Sequence, residues 1–304
     1  MTYARIAGIG SFLPEKVVTN KDLEGMMETS DEWIRERTGI KRRHIAGDDE
    51  TTATISLEAA RRSMEMADVT ADELDLIVVG TCTPDKVIPA TACIVQRELG
   101  AKGCPALDIN AACSGFVYGL DYANRYIRTG GAKKALVIGA ETLSRITNWE
   151  DRTTAVLFGD GAGAAIVEAS DEPGIQATHI HANGEFEDLL QTSGGVSLGF
   201  DASCDRDRFI TMQGNAVFTR AVATYDSMAR ETIADLDGHL DDIDWFIPHQ
   251  ANMRIISAAA RKLGMPMERV ITTVDEHANT SAASIPLALD QAVRSGQIKR
   301  GDTI

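Results

Sequence analysis

Three short stretches put reactive side chains at the ends of apolar runs. In "DINAACSGF", Cys113 follows a strand-like run and opens a helical one. A helix N-terminus carries partial positive charge and unpaired N–H groups, both of which favour a thiolate. Ala111, Ala112, Ser114 and Gly115 leave room for a substrate to approach. In "IPHQANMRII", His249 follows the apolar "WFI" and precedes a helix, where open α/β sheets place their active groups. In "DEHANTSAA", Asn279 occupies a further strand-to-helix turn. Two chemistries suit a Cys, a His and an Asn that converge. The His can deprotonate the Cys while the Asn orients the His, as in a hydrolytic triad. Alternatively, His and Asn both donate to one carbonyl oxygen and stabilise a developing enolate, while the Cys carries an acyl group. A buried structural thiol is the plain alternative to both. Spacing leaves the three open.

The elements that must position these groups follow from periodicity. Short β-branched runs ("ARIAGIG", "DLIVVGT", "PALDINA", "KALVIGA", "GAAIVEA", then "QATHIHA", "DWFIPHQ" and "VITTVDE") predict strands. Amphipathic segments between them, such as "ETTATISLEAARRSMEMA" and "NMRIISAAARKLG", predict helices. Strands alternating with helices imply a layered α/β fold with parallel pairings. The two halves also resemble each other. At an offset of 166, Ile127-Arg128-Thr129-Gly130 falls on Val293-Arg294-Ser295-Gly296, and Lys133 on Lys299. "DLIVVG…QRELG" matches "DWFIPHQ…RKLG" more loosely. An internal duplication predicts a two-fold pseudo-symmetric fold, in which Cys113 and Asn279 occupy equivalent turns.

Composition narrows the function. The chain of 304 residues is long enough for one large α/β domain or two ordinary ones. A formal charge of −15 argues against nucleic-acid binding, which needs basic surface. Five cysteines at 82, 93, 104, 113 and 204, with no CxxC pair, disfavour a disulfide framework or a zinc site. No apolar run approaches the roughly 20 residues of a membrane span, so no membrane partner is expected. The start of the chain lacks the features of a secretory signal, and a cytoplasmic protein is expected.

The blocks "DINAACSGF", "HQANMRIISAAARKLGM", "HANTSAASIPLALDQA", "SDEWIRERTGIKRRHIA", "VIPATACIVQRELG", "LFGDGAGAAIV" and "MQGNAVF" resemble β-ketoacyl-acyl carrier protein synthase III, the initiating condensing enzyme of type II fatty acid synthesis. The resemblance runs along essentially the whole chain. It implies a thiolase-like α/β fold of two pseudo-symmetric halves in five αβαβα layers. The nucleophile half would span 1–172, and the half with His and Asn 173–304. The resemblance further implies that Cys113 takes an acetyl group from acetyl-CoA. His249 and Asn279 then bind the thioester carbonyl of malonyl-acyl carrier protein. Decarboxylation leaves a carbanion that attacks the acyl-cysteine, with no metal or redox cofactor needed.

Other positions match the family's contacts. Trp33 and Arg152 resemble the pair that sandwiches the adenine of CoA, and Arg37 the residue near its phosphates. Gly214, Phe218, Ala251 and Asn252 resemble the wall of the pantetheine tunnel. Arg254, Arg261 and Lys262, at i, i+7 and i+8, share one helix face and suit an acidic carrier protein. Ile88, before Pro89, would line the partner's acyl pocket across a homodimer interface. The family's closing strand and "GGGxTWG"-like turn, which lend an N–H to the oxyanion hole, have no counterpart before Ile304. The expectation is a 304-residue product of low stability and low activity. A condensing relative with a Glu base is disfavoured, because no Glu neighbours Ala111–Ser114 or the His249 loop in sequence. A thioester hydrolase and a non-catalytic CoA-binding module are the competing functions.

Overall fold

Residues 2–204 and 206–304 are described by a computed structural model. Five runs predicted as strands form one sheet: β1 (Tyr3–Phe12), β2 (Leu76–Gly80), β3 (Ala106–Ile109), β4 (Lys134–Thr142) and β5 (Asp160–Ser170). Their order is β1-β5-β4-β2-β3. The β4–β2 and β2–β3 pairings are parallel, while β1–β5 and β5–β4 are antiparallel. The "LIVVG" of β2 and the "ALVIGAET" of β4 are buried throughout, as continuous apolar runs must be when both sheet faces are covered.

Alternate residues of the sheet feed two cores. Ile77, Val79, Leu136 and Ile138 face α2 (Thr52–Ala67) and α3 (Thr91–Leu99), which follow α1 (Asp31–Thr38). Leu76, Val78 and Val137 face α4 (Gly115–Arg128) and α7 (Ser284–Arg294) through Phe116, Ala123, Ile127, Ala288, Leu289 and Ala292. The helix that follows Cys113 and the helix that follows Asn279 thus share one layer against one sheet. Two further helices, α5 (Gly214–Asp235) and α6 (Met253–Leu263), complete the second half.

The duplication is visible in the backbone. Ala112 and its equivalent Ala278 are both left-handed, at φ +44° and +59°. Gly130 and Gly296 match at +82° and +75°, and Gly100 and Gly264, which end α3 and α6, at +78° and +71°. The strands expected in the second half do not form in the same way. "QATHIHA" carries no ladder, "VITTVDE" yields a short helix, Val274–His277, and Phe246 meets Val270 in a single parallel bridge. The local reason is hydrogen bonding. Phe246 N donates to Arg269 O (2.9 Å) and Ile271 N to Phe246 O (2.9 Å), while Asp244 N and Trp245 N both turn to Thr303 O. A parallel ladder repeats such bonds along both strands, and here the pairing stops after one bridge.

Two glycines bring the reactive turns together. A Cβ on Gly80 would sit 2.5 Å from the carbonyl carbon of Gly115, and one on Gly139 would sit 2.2 Å from the carbonyl oxygen of Ala282. Backbone from both halves therefore rests directly on β2 and β4. Gly139→Ala is expected to lower stability by about 3 kcal/mol, the upper end of ordinary overpacking. Urea denaturation would show it, and an unchanged midpoint would mean that the two turns are not in contact.

Candidate active site

Cys113 lies in a single 3-10 turn, Ala112–Ser114, that runs directly into α4. The left-handed Ala112 costs about 1–2 kcal/mol for a residue with a side chain. Such strain is typical of functional turns. The cysteine is partly exposed, yet protein atoms crowd its sulfur. Burial pushes its pKa up to about 11; a hydrogen bond from Ser281 opposes the rise and the nearby Glu141 charge adds to it. The resting group is a thiol. The helix N-terminus expected to favour a thiolate is outweighed by desolvation.

Asn279 is locked from both sides. Its backbone N donates to Leu157 O (2.9 Å), and its backbone O accepts from Gly159 N (3.0 Å). Its side-chain Oδ1 accepts from Ser281 N (2.9 Å). The Oδ1 position is thereby assigned, and Nδ2 remains as a donor. His249 is set in the same manner. Its Nδ1 lies 2.5 Å from Ser284 Oγ, and that oxygen also accepts from Gln250 N (3.2 Å). The Ser284 hydroxyl meets no other acceptor among the described residues, so its proton goes to Nδ1, and the imidazole carries its own proton on Nε2. Burial pushes the His249 pKa down to about 4, so the ring is neutral near pH 7 and donates through Nε2.

The three groups converge through shared neighbours. Ser281 N bonds Asn279 Oδ1, and the Ser281 hydroxyl is among the groups that hold the Cys113 pKa down. Tyr225 of α5 is close enough to Cys113 to respond to its charge, and its hydroxyl donates to His249 O (3.3 Å). Behind the sulfur lies Glu141, fully buried at the end of β4. A thiol nucleophile flanked by two oriented neutral donors suits acyl transfer followed by attack of an enolate. In a hydrolytic triad the Asn oxygen would orient the imidazole; here that oxygen is held by Ser281 and the imidazole by Ser284.

Family profiles described as 3-oxoacyl-[acyl-carrier-protein (ACP)] synthase III and as its C-terminal part match residues 107–184 and 233–304. The β-ketoacyl-[acyl-carrier-protein] synthase III of Thioalkalivibrio sulfidiphilus is 59% identical over 304 residues, covering 100% of this chain and 94% of that protein. This chain belongs to the β-ketoacyl-acyl carrier protein synthase III family. The synthase III of Xanthomonas campestris pv. campestris is 56% identical, over 99% of this chain and 93% of its own. Among solved structures, the synthase III of Aquifex aeolicus superposes with a TM-score of 0.92 at 47% identity, over 98% of this chain and 93% of that one. That of Thermus thermophilus gives 0.92 at 40%, over 98% and 92%. As a synthase III, the protein is a condensing acyltransferase with a thiolase-like α/β fold.

The remaining residues matched by sequence fall in two places. Trp33 of α1 lies between two cations, Arg37 at 4.6 Å and Arg152 at 5.3 Å from its ring. The Trp33–Arg152 separation is closed, because a base between them needs about 7 Å, two aromatic contact distances. Arg152 is tied to Glu28 O (3.0 Å). Asn252 caps α6 through Arg254 N and its Nδ2 donates to Arg37 O (3.2 Å), so the matched positions Asn252 and Arg37 adjoin. Phe218 of α5 lies under Arg254 at 5.8 Å, one turn from the exposed Gly214. Phe218 and Arg254, together with Arg35, Gly39, Met253 and Arg261 but not Gly214, line a surface cavity of about 370 Å³. Arg254, Arg261 and Lys262 are exposed on α6 as the spacing predicts. They are unequal, since Lys262 pairs with Asp226 (3.3 Å). Ile88 is 83% exposed beside Val87 at 69%.

Sequence reasoning missed Glu141, Ser281 and Ser284. The statement that no Glu neighbours the nucleophile holds along the chain and fails in space. The available signal was an acid closing the apolar run "KALVIGAE", where a buried charge is costly.

The neutral imidazoles make a solution prediction. Burial also lowers His277 to about 4. Below the ordinary value near 6.5, the unfolded chain binds protons that the folded chain refuses until about pH 4, so stability is lost as pH falls through that window. Between pH 6.5 and 5 the loss should be about 1.6 kcal/mol per imidazole. Urea midpoints that stay constant over this interval would refute it.

Proposed function

We propose that the protein condenses acetyl-CoA with malonyl-acyl carrier protein, releasing CoA and CO₂ and giving acetoacetyl-acyl carrier protein. Cys113 Sγ attacks the acetyl thioester, forms acetyl-Cys113 and releases CoA. Malonyl-acyl carrier protein then sets its thioester oxygen against His249 Nε2–H and Asn279 Nδ2–H. Loss of CO₂ leaves an electron pair on the α-carbon, held as an enolate by these donors. That carbon attacks the acetyl carbonyl, the C–S bond to Cys113 breaks with its pair on Sγ, and the sulfur takes up a proton from solvent to restore the thiol. The observation that carries this reading is the locking of both side chains in donor form, His249 by Ser284 and Asn279 by Ser281 N. Pairs of neutral donors stabilise an oxyanion without supplying a strong acid that would protonate the carbanion.

Trp33, Arg37 and Arg152 would hold the CoA nucleotide after Arg152 swings off the indole. Gly214, Phe218, Ala251 and Asn252 would line the pantetheine path. The guanidinium groups of Arg254 and Arg261, which pair with no carboxylate among the described residues, would receive the acidic carrier protein, locally reversing the −15 background. Residues 1–172 and 173–304 would be two copies of one unit, which the matched left-handed residues support. The exposed Val87–Ile88 pair supports a homodimer contact. All five cysteines are free, which suits a reducing cytoplasm. No helix among the described residues is long and apolar enough to cross a membrane.

Labelled acetyl-CoA tests the reading. Label should be retained on Cys113 and leave as a β-ketoacyl product only when malonyl-acyl carrier protein is added. Release as free acetate would instead mean a hydrolase, and tight CoA binding without labelling a binding module. Charge reversal at these two arginines (Arg254→Glu, Arg261→Glu) should raise the KM for malonyl-acyl carrier protein by about tenfold each, with the effect shrinking at high salt. A KM independent of both charge and salt would move the docking face elsewhere.

A further inference from the structure

The two histidines of "QATHIHA" have no part in the condensation. Their segment has strand composition without a ladder, and side chains hold it in place. Thr178 Oγ1 donates to Asp121 Oδ1 (2.5 Å), and Tyr118 Oη donates to His181 O (2.9 Å); Asp121 and Tyr118 both belong to α4. His179 and His181 are two positions apart, which puts them on one face of an extended chain. Glu231 and Asp235, four apart, share one face of α5. The two faces meet. His181 Nε2 lies 3.0 Å from Glu231 Oε2 and 3.2 Å from Oε1. His179 Nδ1 lies 3.4 Å from Glu231 Oε1, and its Nε2 lies 3.3 Å from Asp235 Oδ2.

The His179 ring is poorly served by hydrogen bonding alone. Its Nε2 is buried and lacks a hydrogen bond, because the nearby Asp235 oxygen is out of line with it. A buried polar atom without a partner calls for a physical reason. A neutral imidazole has one proton for two nitrogens. Wherever that proton sits, the other lone pair faces a carboxylate oxygen. Both imidazoles also converge on the one carboxylate of Glu231. No Lys or Arg among the described residues pairs with Glu231 or Asp235.

We propose that His179 Nδ1, His181 Nε2 and Glu231 bind a divalent transition cation, Zn²⁺ above others, with Asp235 accepting the proton of His179 Nε2. A metal ion takes a lone pair from each imidazole. It fixes the remaining His179 proton opposite Asp235, in the carboxylate–histidine–metal order that orients zinc ligands. Bonds of about 2.0–2.1 Å from zinc to nitrogen and oxygen hold tetrahedral ligands roughly 3.4 Å apart. The three ligand groups lie within 4.8 Å of one another, and the two contacts to Glu231 are already at 3.4 and 3.0 Å. Imidazole ligands select zinc over Mg²⁺ and Ca²⁺, which prefer oxygen. Cysteine spacing argues against a thiolate site; this one uses nitrogen and oxygen. The His181 side chain is 54% exposed, so an ion reaches it from solvent. The cation has no step in the chemistry at Cys113, and the site does not depend on the acyl-transfer reading. Its role is structural. It joins the segment pinned on α4 to the end of α5, whose Tyr225 hydroxyl meets His249 O.

The test is titration of the EDTA-stripped, full-length protein with Zn²⁺ by calorimetry, with Co²⁺ absorption reporting the ligands. One equivalent of Zn²⁺ should bind with a micromolar or tighter Kd. At a hundredfold excess over Kd it should raise the folded-to-unfolded ratio about 100-fold, read as a higher urea midpoint that EDTA reverses. His181→Ala and Glu231→Gln should each remove this equivalent, and Asp235→Asn should weaken it by about 10–100-fold. In EDTA, His181→Ala should unfold at the unsubstituted midpoint, since that side chain is half exposed, and it carries the test if Glu231→Gln does not fold. Bound Co²⁺ should show a visible band without thiolate charge transfer. Zinc bound equally by all variants, or a thiolate band, would assign the metal to the cysteines and overturn the site. A Kd weaker than millimolar would mean an adventitious ion only and would overturn it as well.

Discussion

Cys113→Ala is expected to abolish acetyl transfer, reducing condensation by about 10⁴–10⁶-fold, the range seen when a covalent nucleophile is removed. The same variant should still decarboxylate malonyl-acyl carrier protein. His249 is held by Ser284 and Asn279 by the Ser281 backbone, and neither contact needs the sulfur. The carbonyl-binding pair therefore survives the substitution, and an enolate formed there is quenched by solvent. Measuring CO₂ release beside ketoacyl product separates the two steps. Loss of both together would show that the thiol orients the pair, and retention of condensation would remove Cys113 from the chemistry altogether.

This division of labour was only half legible in the sequence. Cys113 and His249 could be proposed because each ends an apolar run shortly before a helix, a pattern that periodicity reveals, whereas Asn279, which follows the short helix Val274–His277, was pointed to by its register with Cys113 in the repeat. Fold class was legible for the same reason. The strands β2, β4 and β5 are long apolar stretches that can only be covered on both faces. The repeat was legible too, since Gly130 and Gly296 fall in register and take the same left-handed conformation. What could not be read was set by partners distant in the chain. "QATHIHA" and "VITTVDE" have strand composition, yet a strand exists only where a neighbour supplies a ladder, and Phe246 finds one bridge only. Glu141 stands 28 positions from Cys113 and 140 from Ser281, and no spacing rule connects them. The polarity of the thiol was misjudged for a related reason. The helix N-terminus favours a thiolate locally, but the second half closes over the sulfur through Ser281 and Tyr225, and desolvation wins.

The carbonyl-binding pair gives the second large effect. His249→Ala and Asn279→Ala should each lower condensation by about 10²–10³-fold, the cost of one donor to a developing oxyanion. Acetylation of Cys113 should change little in either variant, so label accumulates on the sulfur and is not discharged. Decarboxylation should fall in parallel with condensation, because both pass through the same enolate. The double variant should lose less than the product of the single losses. Both donors serve one oxygen, and once one is gone, water can enter and replace part of the other. Asn279→Asp is the sharper probe. It keeps the shape and the bond from Ser281 N, but turns a donor into an anion facing an enolate, so it should be worse than alanine. If Asn279→Asp were better than Asn279→Ala, the residue would be acting as an acceptor, as in a hydrolytic triad, and the pairing of donors on one oxygen would be wrong.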